Sequence, residues 1–309
     1  MIVETHGAVT IADEAIAGLS GAQKTLPSKL FYDEEGCRLF GEITRLPEYY
    51  VTRTERALLQ KITRKLPITK DMALVEYGAS DEGKAAILFD LFEVAAYVPI
   101  DVAGPALLDL RRRLARSRPD LQVVSIEADF LKPLTLPLDL PGKKRFGFFP
   151  GSTIGNLDPS TACTFLRQMA DTLGPMAQVL VGVDLRKDAS ILVPAYDDAQ
   201  GVTAAFNLNI LRHLNRVARS NFDLDAFTHR AIWNSVESRI EMYLVSTKRQ
   251  TVVIADTQFN FEQGDTIHTE NSYKHSIDGF SALAANAGWT PTRSWADEDG
   301  LFSLHLLAA

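Results

Sequence analysis

Glu76, Gly78 and Lys84 are the residues whose types and spacing point most directly to ligand chemistry. They lie in ALVEYGASDEGK, from Ala73 to Lys84, where a short apolar run ends in an acid, a glycine and a polar turn ahead of a helical pattern. A glycine at a strand end lets the backbone approach a ligand closely. The helix that follows would turn its N–H groups and positive dipole end towards polar or anionic groups. The dinucleotide fingerprint G-x-G-x-x-G requires glycine at 78, 80 and 83, and here Ser80 stands between Gly78 and Gly83. Glu76 would repel a phosphate and welcome an ammonium, a combination that S-adenosylmethionine satisfies. An ordinary tight turn between strand and helix accounts for this loop equally well.

Further groups of the right chemistry recur downstream. Asp101 closes an apolar run 23 residues beyond Gly78, near the spacing of about 20 at which an acid takes the ribose hydroxyls of an adenosine. Asp129 in EADF would accept an adenine amino group while Phe130 stacks on the base, although an acid there is as readily a turn residue. In GSTIGN, Gly151 to Asn156, backbone donors and the Asn156 amide follow the next apolar run. Upstream, Tyr32, Phe40, Tyr49 and Tyr50 offer flat faces and phenolic donors suited to a small aromatic ligand. Rings filling a core beneath helices explain the same residues.

The elements that must hold these groups follow from periodicity. TERALLQKITRKL, GKAAILFDLFEV, PALLDLRRRLARS and PSTACTFLRQMADTL read as helices, alternating with LVEY, AAYVPID, LQVVSIE, RFGFFPGS and QVLVGVD as strands. Such alternation specifies an α/β fold, a doubly wound, Rossmann-like parallel sheet that takes ligands at the carboxyl ends of its strands. After Asp184 the pattern breaks. A helical stretch runs to about Arg216, and ESRIEMYLVSTKRQTVVIADTQFNF alternates like a hairpin with STKRQ near its turn. SIDGFSALAANAG, WTPTRSWAD and FSLHLLAA then complete the sheet with an antiparallel pair. The expected division is 53–186 with 274–309 as the sheet domain. Segments 1–52 and 187–273 then form an α+β cap over its ligand edge, the first residues being flexible as far as LPSKLF.

Composition narrows the function. A formal charge of −7 over 309 residues argues against a nucleic-acid binder, and Arg111 to Arg118 read as the solvated face of a helix. No apolar run is long enough to cross a bilayer and the N-terminus lacks a leader pattern, so a cytoplasmic monomer without membrane contact is expected. Cys37 and Cys163 read as reduced thiols. The six histidines form no ligand spacing, and no metal is expected.

FYDEEGCRLFGEITRLPEYYVTRTE, FFPGSTIGN, AYDDAQGVTAAFN, RIEMYLVS and HTENSYK, five blocks in order, resemble the ergothioneine-pathway L-histidine Nα-methyltransferases from about residue 26 onward. The resemblance implies a class I methyltransferase-like fold that converts L-histidine to hercynine, its trimethyl betaine, with S-adenosyl-L-methionine leaving as S-adenosyl-L-homocysteine. It implies cofactor contacts at Tyr32, Gly78, Lys84, Asp101, Asp129 and Phe130. It places Tyr50, Asn156 and Tyr196 on the carboxylate and amine of the amino acid, with Phe40, Gly151 and Thr153 lining the site. Met242, Glu270 and Ser272 would face the imidazole. The chain departs from the family pattern in its cofactor loop, where Ser80 and Ala85 replace a glycine and a threonine and Asp81 and Glu82 add charge that would weaken the cofactor site. Three alternatives stand beside this reading: a methyltransferase for tryptophan or another aromatic amine, a non-catalytic cofactor sensor, and a nicotinamide oxidoreductase.

Overall fold

A computed structural model describes residues 10–67, 71–79, 81–90, 92–142 and 144–309. The fold divides into two compact units: the chain up to Tyr50 with Lys187–Ser272, and Val51–Arg186 with Tyr273–Ala309.

The second unit is built on an eight-stranded sheet. Met72–Tyr77 runs parallel between Val94–Asp101 and Lys144–Phe149, and Gln178–Asp184 lies parallel to Lys144–Phe149 on its other side. Phe302–Ala308 joins antiparallel to Gln178–Asp184, and Thr290–Ala296 antiparallel to Phe302–Ala308, the expected closing pair. Every residue of Met72–Tyr77 is buried, as a parallel strand covered on both faces must be. Tyr77, Phe149 and Phe165 pack in the core with Trp289, whose Nε1–H donates to Leu166 O at 2.8 Å.

Two elements differ from their sequence patterns. The third strand is two short pieces, Gln122–Val123 and Ile126–Glu127, each pairing with Val94–Asp101 at the sheet's outer edge. The helix expected across 83–94 is a single turn, Ala85–Phe89, because pairing of the next strand with Met72–Tyr77 already begins at Val94. A helix that short contributes little dipole to a ligand site.

The first unit is α+β. Its main sheet runs Lys24–Thr25, Thr266–Tyr273, Arg239–Ser246, Phe227–Asn234, the first of these parallel to its neighbour. Val202–Val217 is its longest helix, and the turn before Glu34–Ile43 is tied to it by Asn209 Nδ2, which donates to Asp33 Oδ1 at 2.7 Å. The expected hairpin about STKRQ is not formed. Arg239–Ser246 instead pairs antiparallel with Phe227–Asn234, a strand that the sequence pattern does not announce, and Gln250–Ile254 pairs with Thr257–Phe261. Turn chemistry decides this: Ala255, at φ 49°, closes a two-residue turn of the kind that matches strand twist.

Order also begins earlier than expected. Ile11–Leu19 is a helix with a capping box, in which the Thr10 hydroxyl accepts from Asp13 N–H and the Asp13 carboxylate accepts from Thr10 N–H. No helix among the described residues is long and apolar enough to cross a membrane.

Candidate functional site

In the second unit the strand ends bring several of the singled-out residues to one place. Gly78 follows Tyr77 at φ 76°, its N–H donating to Ile100 O at 2.8 Å, a conformation that glycine adopts without strain. A Cβ built there would lie 3.8 Å from the Phe130 ring and 4.0 Å from Thr153 Oγ1. Gly151 and Ser152 both hold positive φ, 81° and 56°, and fold GSTIGN into a tight turn. The turn is pinned by Thr153 Oγ1 donating to Pro150 O and by Ser152 Oγ accepting from Asp184 N–H, both at 2.9 Å. A Cβ on Gly151 would sit 3.4 Å from both Lys84 Nζ and Thr153 Oγ1. Gly78, Lys84, Gly151, Thr153 and Phe130 are therefore neighbours, and Asn156 ends the same turn.

Asp101 is buried at the end of the adjacent strand, its Oδ1 accepting from Ala103 N–H at 2.8 Å. Burial raises its carboxyl above the usual range, against backbone hydrogen bonds that lower it. Asp129 caps its own turn, with Oδ1 accepting from Leu131 N–H at 3.1 Å. The Phe130 ring packs on Tyr77, Phe149 and Phe165, so it serves the core as well as the Gly78 edge.

The acids of the loop behave differently from the expectation. Glu76 is not an exposed anion: it is fully buried, accepts from the Tyr97 hydroxyl of the neighbouring strand, and is pushed up to about 8 by burial. It carries a proton over most of the neutral range and offers a ligand ammonium little charge. Glu82 accepts three bonds from Arg113, at 2.9, 3.0 and 2.7 Å, and that guanidinium overcomes partial burial to hold the acid below its usual range. Asp81 accepts from Gly83 N–H at 2.6 Å. Both added charges are thus engaged locally. Ser80 lies outside the described residues.

Three groups were missed in the sequence. Glu55 has no exposed side-chain surface, meets Lys84 Nζ at 2.5 Å and accepts from Gly151 N–H. Its signal was available, since it falls on the apolar stripe of Tyr50–Ile62 with Val51, Leu58, Leu59 and Ile62. Asp184 and Lys274, both fully buried, pair at 2.7 Å. In the other unit, Lys187 Nζ donates to the Tyr50 hydroxyl at 2.7 Å.

The first unit gathers the remaining residues. Ring contacts run from Tyr32 to Phe40 (6.0 Å), Phe40 to Tyr49 (6.4 Å) and Tyr49 to Tyr196 (6.3 Å), with Phe206 against Tyr32 and Phe40. At the end of this wall the hydroxyls of Tyr196 and Ser272, both buried, share a hydrogen bond of 2.8 Å. Glu270 lies two residues before Ser272 on Thr266–Tyr273, and buried Met242 occupies the neighbouring strand, its carbonyl accepting from Thr269 Oγ1 at 3.1 Å. Behind Tyr196, Asn207 Nδ2 lies 2.8 Å from His229 Nδ1, and His229 Nε2 lies 2.8 Å from Tyr196 O. Burial lowers His229 below its usual range. The neutral ring therefore donates from Nε2 and fixes the backbone at Tyr196.

Residues 11–309 match the family described as histidine-specific, SAM-dependent methyltransferases. The histidine N-alpha-methyltransferase of Mycolicibacterium smegmatis is 42% identical over 304 residues, 94% of this chain and 92% of that protein. The enzyme of the same name from Mycobacterium tuberculosis is 39% identical, covering 99% and 97%. Ergothioneine biosynthesis protein 1 of Schizosaccharomyces pombe is 29% identical, covering 81% of this chain and 34% of that longer protein. With a match to the family that runs through both units, the chain belongs to the SAM-dependent, histidine-specific methyltransferases.

Proposed function

We propose that this protein methylates the α-amino group of L-histidine three times to give hercynine, a step of ergothioneine biosynthesis. The observation that carries the substrate is the buried Tyr196–Ser272 hydroxyl pair with Glu270 two residues away on the same strand. It offers one acidic acceptor and one hydroxyl for the two imidazole nitrogens, beside a wall of rings. A buried polar set of this kind rejects a substrate that cannot satisfy it, at a cost of about 1–3 kcal/mol per unmatched group.

The residues of the second unit fit S-adenosylmethionine in kind. Gly78 leaves the strand end without a side chain, Asp101 supplies an acceptor for ribose hydroxyls, Asp129 and Phe130 serve the adenine, and Lys84 offers an ammonium to a carboxylate. Tyr32 would add a further contact. When bound, the cofactor supplies a methyl carbon activated by a sulfonium.

The remaining tasks fall to the chain. The amine must be held in line and be unprotonated at the moment of transfer. Lys187 donates to the Tyr50 oxygen, which makes that phenol a donor in its turn, suited to the histidine carboxylate. The family resemblance assigns the amine to the Asn156 amide in the second unit, where Gly151 and Thr153 share its turn, and to the Tyr196 hydroxyl in the first, where Phe40 belongs to the wall of rings. Glu270 and Ser272 hold the ring, with Met242 packed beneath. The engagement of Asp81 and Glu82 within the fold removes the reason to treat the altered loop as a sensor's. Mass spectrometry of histidine incubated with the protein and S-adenosylmethionine tests the proposal. A product heavier by three methyl groups is expected, and unchanged histidine beside methylated tryptophan would refute it.

A further inference from the structure

Glu55 is the most deeply buried acid beside the residues assigned to the cofactor, and no step of the methyl transfer uses it. One carboxylate touches two loops. Its oxygens accept from Gly151 N–H at 3.0 and 2.9 Å, while Oε2 holds Lys84 Nζ at 2.5 Å. The fold makes room for it on a third side: a Cβ on Gly182, in the middle of Gln178–Asp184, would collide with Glu55 Oε1. An apolar residue would fill this stripe position on Tyr50–Ile62 without the cost of desolvating a charge. The acid is explained by what it holds.

We propose that Glu55 is a positioning residue that ties the Lys84 ammonium to the Gly151–Asn156 turn, so that cofactor and histidine reinforce each other's binding. The inference rests on the reading above that Lys84 contacts the cofactor. The anionic group that S-adenosylmethionine presents is its amino-acid carboxylate, the natural partner of that ammonium. Lys84 spends one N–H on Glu55 and keeps two for a ligand. The same carboxylate fixes the N–H of Gly151, at the head of the turn that carries Thr153 and Asn156. A ligand that settles Lys84 thereby settles the turn, and by linkage an amino acid on the turn favours the cofactor equally.

The test measures S-adenosyl-L-homocysteine affinity by calorimetry, with and without histidine, for the parent, Glu55→Gln, Lys84→Met and the double variant. Ligand-free melting curves confirm folding. Glu55→Gln should weaken S-adenosyl-L-homocysteine by roughly 10-fold and abolish most of the gain that histidine confers, while costing less than about 2-fold further when Lys84 is already Met. Unchanged affinity in Lys84→Met overturns the Lys84 reading and this proposal with it. A loss in Lys84→Met without one in Glu55→Gln overturns the proposal alone, as does an equal Glu55→Gln loss in both backgrounds, which would make Glu55 a strut of the fold. Should Glu55→Gln not fold, Gly182→Ala displaces the carboxylate while retaining it and should reproduce the lost coupling. Full coupling in a folded Gly182→Ala variant would count against the mechanism.

Discussion

The proposed assignments of Asp101 to the cofactor and of Glu270 to the imidazole each make a separable prediction. Asp101 is buried and its carboxyl is raised, so it takes up a proton at a higher pH than an exposed aspartate would. S-adenosyl-L-homocysteine affinity should therefore fall on acidification earlier than an exposed aspartate would dictate. Asp101→Asn should bind more weakly at neutral pH and lose that pH dependence, and a parallel pH profile in calorimetry would exclude Asp101 from the site. Glu270→Ala should lower kcat/KM for histidine by about 10-fold or more, the scale of one hydrogen bond to a charged group. S-adenosyl-L-homocysteine affinity should stay nearly intact, and tryptophan should be tolerated better, further so with Met242→Val. An unchanged histidine-to-tryptophan ratio in steady-state assays would make Glu270 a structural acid. At this scale the sequence was legible where a residue type fixes local geometry, as at Gly78, which takes φ 76° at the strand end without strain. It was opaque for Glu76, whose acidity reads as charge until burial and the Tyr97 hydroxyl are known.

Elements reveal why some patterns were readable and others not. Apolar runs such as residues 72–75, at the head of Met72–Tyr77, admit one reading once helices alternate with them, because a strand covered on both faces has no solvent-facing side to display. Phe227–Asn234 alternates only loosely, and its pairing with Arg239–Ser246 is fixed by a turn whose residue Ser238 takes φ 54° with no glycine to advertise it. Close approach is equally silent in sequence. A Cβ on Gly36 would collide with Phe31 O and lie 3.2 Å from Asn209 Nδ2, at the junction of Glu34–Ile43 with Val202–Val217. Because backbone must shift to admit it, Gly36→Ala should cost about 1–3 kcal/mol or more despite the better helix propensity of alanine. Urea denaturation would read this directly, and a variant as stable as the parent would mean that the turn before the helix yields freely.

Over the whole molecule the buried titratable groups of the second unit pull stability in opposite directions with pH. His275 and His305 are held down at about 4 by burial, His275 also by Lys274 and Arg186, and His305 also by His275. Both are neutral in both states above about pH 6.5, but between there and pH 4 only the unfolded chain binds their protons. Stability therefore falls on acidification by about 1.4 kcal/mol per pH unit for each ring. Glu76 works the other way. Its folded value is about 8 against an ordinary 4.5, so the native state alone holds the proton between those limits and loses stability as pH rises through them, by a similar slope. Two histidines outweigh one acid below about pH 6.5, and the acid acts alone above it, which places the maximum near pH 6.5 with a decline towards 8. Trp233 belongs to the first unit, so Trp233→Phe leaves Trp289 and Trp295 to report on the second. In that background the urea midpoint should follow this dome. Glu76→Gln should flatten its alkaline side, since the amide accepts from Tyr97 without titrating, and His305→Gln should leave the acid side nearly level down to about pH 4.5, because the one remaining histidine then only balances Glu76. An alkaline decline that survives Glu76→Gln unchanged would show that another group carries it, and would return Glu76 to the ionised state that its place beside Gly78 first suggested.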